Sequence, residues 1–182
     1  MVAETYLARV LRSTLQRNEV GKLSQGLPLR LATADDIPVL VSHRRRMFED
    51  MAALKGEQLA RAGLEVMDTA YAVLLRDEIP AGSTRVWVIE DAGQIAASGA
   101  LRLTDWLPRP DGSRRGLVYV HSVYTEPYYR RRGLARRILT AMIDYCRENG
   151  WPRISLHASE LGRGLYEDLG FKPTNEMRLV LE

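Results

Sequence analysis

The feature that most constrains this chain is a strand-like segment that ends at a proline and continues through an arginine-rich turn into a helix. Residues 118–126 are rich in β-branched and aromatic side chains, and Pro127 cannot continue a sheet ladder. Residues 130–133 read Arg-Arg-Arg-Gly, and apolar residues then recur at helical spacing from Leu134 to Tyr145. The chain must therefore place a positively charged turn at the start of a helix, directly after a strand.

This turn is a candidate anion-binding site. The first amides of a helix have no acceptor within the helix, and the helix dipole makes that end positive. A diphosphate placed there receives several amide hydrogen bonds. Gly133 lacks a Cβ, so the backbone can approach the phosphates, and Arg130 and its neighbours add charge. Two other interpretations remain open on these residues alone: a glycine turn with a solvated arginine face, and a basic patch for nucleic acid.

Composition narrows the class of protein. The 182 residues are enough for one domain with a core, and 46% hydrophobic and 27% charged residues are typical of a soluble globular protein. The net charge of +3 is too small to indicate nucleic acid by itself. The apolar runs are too short for a membrane span, and the charged first 20 residues are unlike a secretory signal. The single cysteine, Cys146, disfavours a disulfide or structural zinc, so we expect a cytoplasmic protein without metal.

Periodicity and turn residues predict an α/β protein with a mixed sheet and helices on its faces. The predicted element order is βααβββαβαβ, with an extra N-terminal helix at residues 3–18. The predicted strands are 29–32, 85–90, 94–103, 116–125, 153–157 and 177–181, and the predicted later helices begin at Ile37 and cover 57–76, 134–149 and 160–169. We expect residues 1–28 to form an extension and residues 29–182 to form one domain.

Two motifs in this order resemble those of the GNAT-type N-acetyltransferases. The family's phosphate turn, Arg/Gln-x-x-Gly-x-Gly/Ala, is matched by Arg130-Arg-Arg-Gly-Leu-Ala135 at each fixed position. Residues 165–171, Leu-Tyr-Glu-Asp-Leu-Gly-Phe, are similar to the family's Leu-Tyr-x-x-x-Gly-Phe segment. The resemblance covers about residues 29–182. It implies a partly splayed mixed sheet, acetyl-CoA as cosubstrate, and transfer of the acetyl group to a primary amine.

The resemblance also implies roles for individual residues. The strand before the turn should part from its neighbour, so that amides near Val123 and Thr125 meet the thioester and the pantetheine arm. Tyr166 would protonate the leaving thiolate. Ser159 stands where the family usually has Asn. The implied coenzyme-binding residues are Val123, Thr125, Arg130, Arg131, Arg132, Gly133, Leu134, Ala135, Arg136 and Ser159.

A strongly basic acceptor needs a general base. Neutralising a lysine-like amine with a pKa of ~10.4 at pH 7 costs roughly 4.6 kcal/mol, whereas an α-amino group with a pKa of ~8 costs about 1.4 kcal/mol. The candidate is His121, because strand alternation places it on the face of Val123 and an unperturbed histidine pKa near ~6.5 suits this task. A histidine packed in the core is the other interpretation, and Glu90 and Glu126 are alternative bases.

The remaining polar residues are expected to be structural. We interpret His43 and His157 as structural histidines, Cys146 as a core residue, and Arg44, Arg45 and Arg46 as a solvated helix face.

The acceptor is a small-molecule or peptide amine that the sequence does not specify further. Met47, Phe48, Met51 and Trp106 are candidates to line its site. The N-terminal helix offers a surface for a homodimer, and no membrane or nucleic-acid partner is expected. The alternative function is a CoA-binding sensor or partner module on the same fold with little activity. A nucleic-acid-binding protein that uses the arginine cluster is the third hypothesis.

Overall fold

The computed structural model describes residues 26–108, 110 and 116–179. In these residues the chain forms a five-stranded mixed sheet with four α-helices, which confirms the predicted α/β class. The strands are β1 (Leu29–Leu31), β2 (Thr84–Asp91), β3 (Gln94–Thr104), β4 (Leu117–Thr125) and β5 (Ser155–Leu156), and the helices are α1 (Ile37–Leu54), α2 (Arg61–Ala81), α3 (Leu134–Glu148) and α4 (Glu160–Asp168). The predicted helix at residues 3–18 lies outside the described residues.

The strands lie in the order β1-β2-β3-β4-β5. The first four strands run antiparallel to one another, and β5 runs parallel to β4. The β4–β5 ladder contains only the pairs Tyr119↔Ser155 and Val120↔Leu156. Residues 121–125 of β4 therefore have no β5 partner, which is the predicted partial splay, and we call the opening beside them the β4–β5 gap.

The sheet separates two hydrophobic clusters, and β2 shows why. Its alternate residues face opposite sides: Trp87 and Ile89 join the cluster that includes α3, while Val86 and Val88 join the cluster that includes α1 and α2. A strand buried on both faces reads as a continuous apolar run, as residues 86–89 do. Both layers of helices are thus held by the same strands.

Local signals explain where the helices and turns lie. Before α1, the amide of Thr33 donates to Asp36 Oδ2 at 2.7 Å, which satisfies one amide at the helix start. A tight hairpin turn joins β2 to β3, with positive φ angles at Ala92 and Gly93. The prediction that the second helix ends before Pro80 is wrong, because Pro80 lies in the last turn of α2 and Gly82, with φ of 73°, ends the helix.

The C-terminal strands are shorter than predicted. Only Ser155–Leu156 of the predicted strand 153–157 pairs with β4, and residues 177–179 of the predicted last strand are not in a strand. Residues 180–182 lie outside the described residues. None of the helices in the described part is both long and apolar enough to cross a membrane.

Candidate active site

A β-bulge in β4 sets the geometry of the site. Tyr124 pairs with Ser98 and His121 pairs with Ala100, so Ser122 and Val123 together stand opposite Gly99. Ser122 has φ of 52°, in the left-handed region. The extra residue bends the strand and breaks its alternation of side chains.

The bulge places His121 and Val123 on opposite faces of the sheet. Val123 packs into the cluster that includes α3, while the His121 ring lies 6.1 Å from the ring of Tyr71 on α2. The predicted shared face is therefore wrong, because alternation holds only in a strand without a bulge.

Main-chain donors line the β4–β5 gap. The amide of Glu126 donates to Ala96 on the β3 side at 2.9 Å. Because strand amides alternate in direction, the amide of Thr125, next to Glu126, points away from β3, toward the gap. The Oγ1 atom of Thr125 is buried and has no hydrogen-bond partner in the described part of the chain. A ligand in the gap would meet these polar groups.

The start of α3 offers a second row of donors. The first hydrogen bond of the helix runs from the Arg137 amide to the Gly133 carbonyl at 3.0 Å, so the amides of residues 134–136 precede it. Among the described residues, no side chain caps this end. Gly133 has φ of 78°, and no described atom lies within 4 Å of the position that a Cβ would occupy. The Leu134 side chain is buried in the core, so this residue offers only its backbone.

The arginines of the turn differ in position. Arg130 bonds within the protein, since its Nε donates to the Thr125 carbonyl at 3.0 Å and its Nη2 to Asp50 at 2.6 Å. The backbone amide of Arg130 also donates to the Pro127 carbonyl at 3.3 Å. Arg130 therefore joins the turn to β4 and to α1, and its contact with a phosphate stays a prediction.

The other turn arginines lie around the helix start. Arg131 is exposed with φ of 64°, and the guanidinium carbon of Arg132 lies 4.5 Å from the ring centroid of Tyr128. Arg136 pairs with Asp168 at 2.6 Å and joins the first turn of α3 to the end of α4. Ala135, the residue before Arg136, is half-buried. Several arginines therefore lie near the helix start, and the charge of Arg136 is compensated by Asp168.

Tyr166 and Ser159 lie at α4, which Ser159 caps. Tyr166 packs beside Phe171, with ring centroids 5.8 Å apart, and against the cluster that includes α3. Burial and the nearby Tyr119 raise the pKa of Tyr166, so it is protonated at neutral pH. The Oγ of Ser159 accepts a hydrogen bond from the Gly162 amide at 3.3 Å.

The environment of His121 differs from the predicted one. Burial, followed by the positive charges of Arg44 and Arg102, lowers the pKa of His121 to about 4. The expectation of a near-neutral pKa is therefore wrong. Its Nδ1 lies 3.1 Å from the Ser122 hydroxyl, and the neutral imidazole is the form present at pH 7.

Arg44 lies in a different environment from the predicted one. Its Nη1 donates to the Ser122 hydroxyl at 2.8 Å, and its guanidinium carbon lies 5.1 Å and 4.7 Å from the ring centroids of Phe48 and Tyr71. The expected solvated face is wrong for Arg44, which points into the protein. A signal was present: Arg44 lies four residues after Leu40 and four before Phe48, on the apolar side of the helix.

The alternative bases are engaged in ion pairs. Glu90 pairs with Arg30 at 3.0 Å, and Glu126 pairs with Arg46 at 2.5 Å and lies 3.2 Å from His43. His43 is completely buried, and its Nδ1 lies 2.8 Å from the Ser98 hydroxyl.

The other two residues interpreted as structural differ in exposure. His157 is exposed and contacts the Tyr119 hydroxyl and Glu176. Cys146 is buried in the core, and burial raises its thiol pKa to about 11. In residues 26–108, 110 and 116–179, no group of three or more His, Cys, Asp or Glu side chains is placed to hold a metal ion.

A parted strand edge followed by a helix start with unsatisfied amides is the arrangement of the acyltransferases that draw on a CoA thioester. The chain belongs to the acetyltransferase (GNAT) family, whose model matches residues 48–171. This range includes the bulge, the gap, the arginine-rich turn and Tyr166.

Solved structures and a curated relative agree with this membership. A GCN5-related N-acetyltransferase from Ralstonia eutropha is 27% identical with a TM-score of 0.76, covering 86% of this chain and 99% of that one. A predicted acetyltransferase from Clostridium acetobutylicum, solved with acetyl-CoA, is 27% identical with a TM-score of 0.75, covering 85% and 96%. The glucosamine 6-phosphate N-acetyltransferase of Trypanosoma brucei brucei is 28% identical over 99 residues, which are 54% of this chain and only 65% of that protein.

Proposed function

We propose that this protein transfers an acetyl group from acetyl-CoA to a primary amine. The observation that carries the proposal is the presence of two unpaired main-chain segments in the same strand–turn–helix unit, residues 123–125 of β4, which have no β5 partner, and residues 134–136 of α3, whose amides precede the first helical hydrogen bond. Diphosphate and amide groups of CoA need hydrogen-bond donors along an extended path. Membership of the acetyltransferase family supports the same ligand.

The residues present fit acetyl-CoA as a substrate. The amides of residues 131–136 have no backbone acceptor in the described part of the chain, and we assign them to the diphosphate. The open space at Gly133 gives the phosphates room to approach the backbone. The buried Oγ1 of Thr125 and the hydroxyl of Ser159 are assigned to the pantetheine arm.

The reaction is a direct attack of the amine on the thioester. The nitrogen–carbon bond forms as the carbon–sulfur bond breaks, and holding both reactants in one site supplies much of the rate. An enzyme nucleophile is not required. Cys146 is unsuited to that task, because it is buried in the core with its thiol pKa raised to about 11.

Two proton transfers complete the reaction. Tyr166 gives its proton to the departing CoA sulfur, and its raised pKa keeps that proton in place until the sulfur becomes negative. We assign His121 to take the proton from the amine, directly or through a water molecule. Its neutral imidazole is ready to accept at pH 7, although the pKa of about 4 makes it a weak base. The acceptor must therefore lose much of its positive charge before it attacks.

The same site without turnover would be a CoA-binding module, and the arginine cluster could instead serve nucleic acid. The engagement of Arg130 with Asp50, and of Arg136 with Asp168, leaves less charge for a nucleic-acid backbone. These alternatives differ from the enzyme in measurable ways.

Calorimetric titration of the purified chain with acetyl-CoA tests binding, and thiol release with a panel of primary amines tests transfer. We expect saturable binding and amine-dependent release of CoA. Binding with no release for any amine would indicate the CoA-binding module. Absence of heat, together with salt-sensitive binding of DNA or RNA, would overturn the proposal in favour of nucleic acid.

A further inference from the structure

The arginines near the bulge differ in how their charge is compensated. Arg45 pairs with Asp68 at 2.6 Å, Arg46 with Glu126 at 2.5 Å, and Arg130 with Asp50 at 2.6 Å. In the described ranges, no carboxylate lies within 4.0 Å of the Arg44 guanidinium, although this group is half-buried. A cation removed from water without an anionic partner is costly to a folded protein.

The guanidinium of Arg44 is also short of hydrogen bonds. Only Nη1 has an acceptor, the Ser122 hydroxyl at 2.8 Å, and the buried Nε has no partner in the part of the chain that the structure describes. The rings of Phe48 and Tyr71 cover the guanidinium at 5.1 Å and 4.7 Å. Aromatic rings fix the position of an arginine but do not satisfy its N–H groups. The Nε is closed off from solvent, so an oxyanion would be bound through the two Nη groups, which can form two parallel hydrogen bonds.

The position of Arg44 connects it to the reaction. Ser122, which accepts from Arg44, is the left-handed residue of the bulge, and the next residue, Val123, is one of the β4 residues beside the β4–β5 gap. The preceding residue is His121, whose ring lies on the same side as Arg44 and whose Nδ1 contacts the same hydroxyl at 3.1 Å. The cation of Arg44 thus lies beside the proposed base.

A groove elsewhere in the described part of the chain is a weaker candidate for the acceptor site. A groove of about 960 Å³ lies between the start of α1, the β2–β3 turn and residues 126–129. Its main charges are already paired, Arg30 with Asp36 and Arg46 with Glu126. None of Tyr166, His121 and Gly133 lines it. We therefore place the acceptor beside Arg44.

We propose that the acceptor is a small primary amine that carries an oxyanion, a carboxylate or a phosphate, and that Arg44 binds this oxyanion with the help of Ser122. This inference rests on the proposed acetyl transfer and specifies the chemistry of its acceptor. Pairing with the anion would compensate the charge of Arg44 and hold the amine near His121. Arg44 is then the residue that selects among amines.

Matched amine pairs test the proposal, each with an anionic and an uncharged member. The pairs are glucosamine 6-phosphate with glucosamine, O-phosphoethanolamine with ethanolamine, and the amino acids with their carboxamides. The first two pairs report phosphate and the last reports carboxylate. We expect at least one anionic member to be acetylated with a kcat/KM about 10- to 100-fold above that of its partner.

Variants then attribute this preference to Arg44. Arg44→Gln should abolish the preference, mainly by raising KM for the anionic amine. Arg44→Lys should retain part of it, because a lysine keeps the charge without the guanidinium geometry. The control is Arg45→Gln on the same helix, whose partner is Asp68 and which should keep the preference.

Calorimetry with acetyl-CoA shows whether each variant is folded and separates this proposal from the function on which it rests. If acetyl-CoA does not bind the native protein, the proposed function itself fails. If acetyl-CoA binds but no anionic amine is acetylated, the acceptor proposal is overturned, whether or not uncharged amines are acetylated. The acceptor proposal also fails if Arg44→Gln binds acetyl-CoA and keeps the anionic preference. If Arg44→Gln does not fold, the proposal is decided by two other measurements. These are the preference of the native protein for the anionic amine and the preference that Arg44→Lys retains.

Discussion

Tyr166 and His121 are both half-buried, and partial removal from water favours the neutral form of each side chain. For Tyr166 the neutral form is the acid, so burial supports its proposed task. For His121 the neutral form is the base, and the charge of Arg44 adds to the effect of burial. The same physical cause thus prepares one residue to give a proton and the other to receive one.

The first prediction at this scale concerns the hydroxyl of Tyr166. Tyr166→Phe should lower kcat by about 10²-fold, because a general acid contributes about 10² to 10⁴ in rate. The affinity for acetyl-CoA, measured by calorimetry, should change little. Tyr145→Phe is a suitable control, since Tyr145 packs on Trp87 in the core cluster that includes α3. A Tyr166→Phe enzyme with native kcat would remove the acid role.

At the scale of elements, the start and the end of α3 offer a matched comparison. Gly133 precedes the helix with φ of 78°, and Gly150 follows it with φ of 69°. Neither has a described atom within 4 Å of the position of an added Cβ. The two positions therefore carry similar backbone strain for alanine, about 1–2 kcal/mol, but of the two only Gly133 lies at the proposed phosphate site.

Gly133→Ala and Gly150→Ala should lower the free energy of unfolding by similar amounts, measured by urea denaturation. Only Gly133→Ala should weaken acetyl-CoA binding, because its methyl group enters the space assigned to the phosphates. The dissociation constant from calorimetry is the relevant measurement. Equal affinities in the two variants would contradict the assignment of the α3 start to the diphosphate.

The sequence predicts those elements whose signals are local. The hairpin at Ala92-Gly93, the helix after Gly133 and the apolar strands follow from turn chemistry and periodicity. The bulge at Ser122 is not predictable in this way, because it depends on how β4 aligns with Gly99 of β3. The bulge decides which face of the sheet His121 occupies. The motifs therefore locate the site along the sequence, but they do not show which residues lie on each face of the sheet. The length of β5 also depends on pairing with β4 and not on local residues.

At the scale of the whole molecule, His43 links α1 to the sheet. Its Nδ1 lies 2.8 Å from Ser98 on β3, and its ring centroid lies 5.0 Å from that of Tyr124 on β4. Burial lowers the pKa of His43 to about 4, below the ordinary value of 6.5. The folded protein therefore binds fewer protons than the unfolded chain between these pH values, and His121 contributes in the same direction.

The stability from these histidines should be fully present above pH 6.5 and be lost as the pH falls toward 4. A difference of 2.5 pH units corresponds to a loss on the order of 3 kcal/mol for each histidine. The free energy of unfolding from urea titrations at pH 7, 6, 5 and 4.5 measures it. His43→Gln should reduce the slope of this pH dependence, because it removes a buried group whose folded pKa is lowered. A slope unaffected by His43→Gln would contradict the buried neutral state.

The short pairing of β4 with β5 has a consequence for motion. Few polar links join the strand–helix unit of residues 155–168 to the rest of the described chain. Among them are the two backbone pairs between β4 and β5 and the Arg136–Asp168 ion pair. Segments with few backbone links open with a smaller free energy than the global one, so their amide hydrogens exchange with solvent sooner. The helix that carries Tyr166 should therefore exchange its amide hydrogens faster than β2 and β3 do. Such local opening would let the bulky coenzyme of the proposed reaction enter the β4–β5 gap.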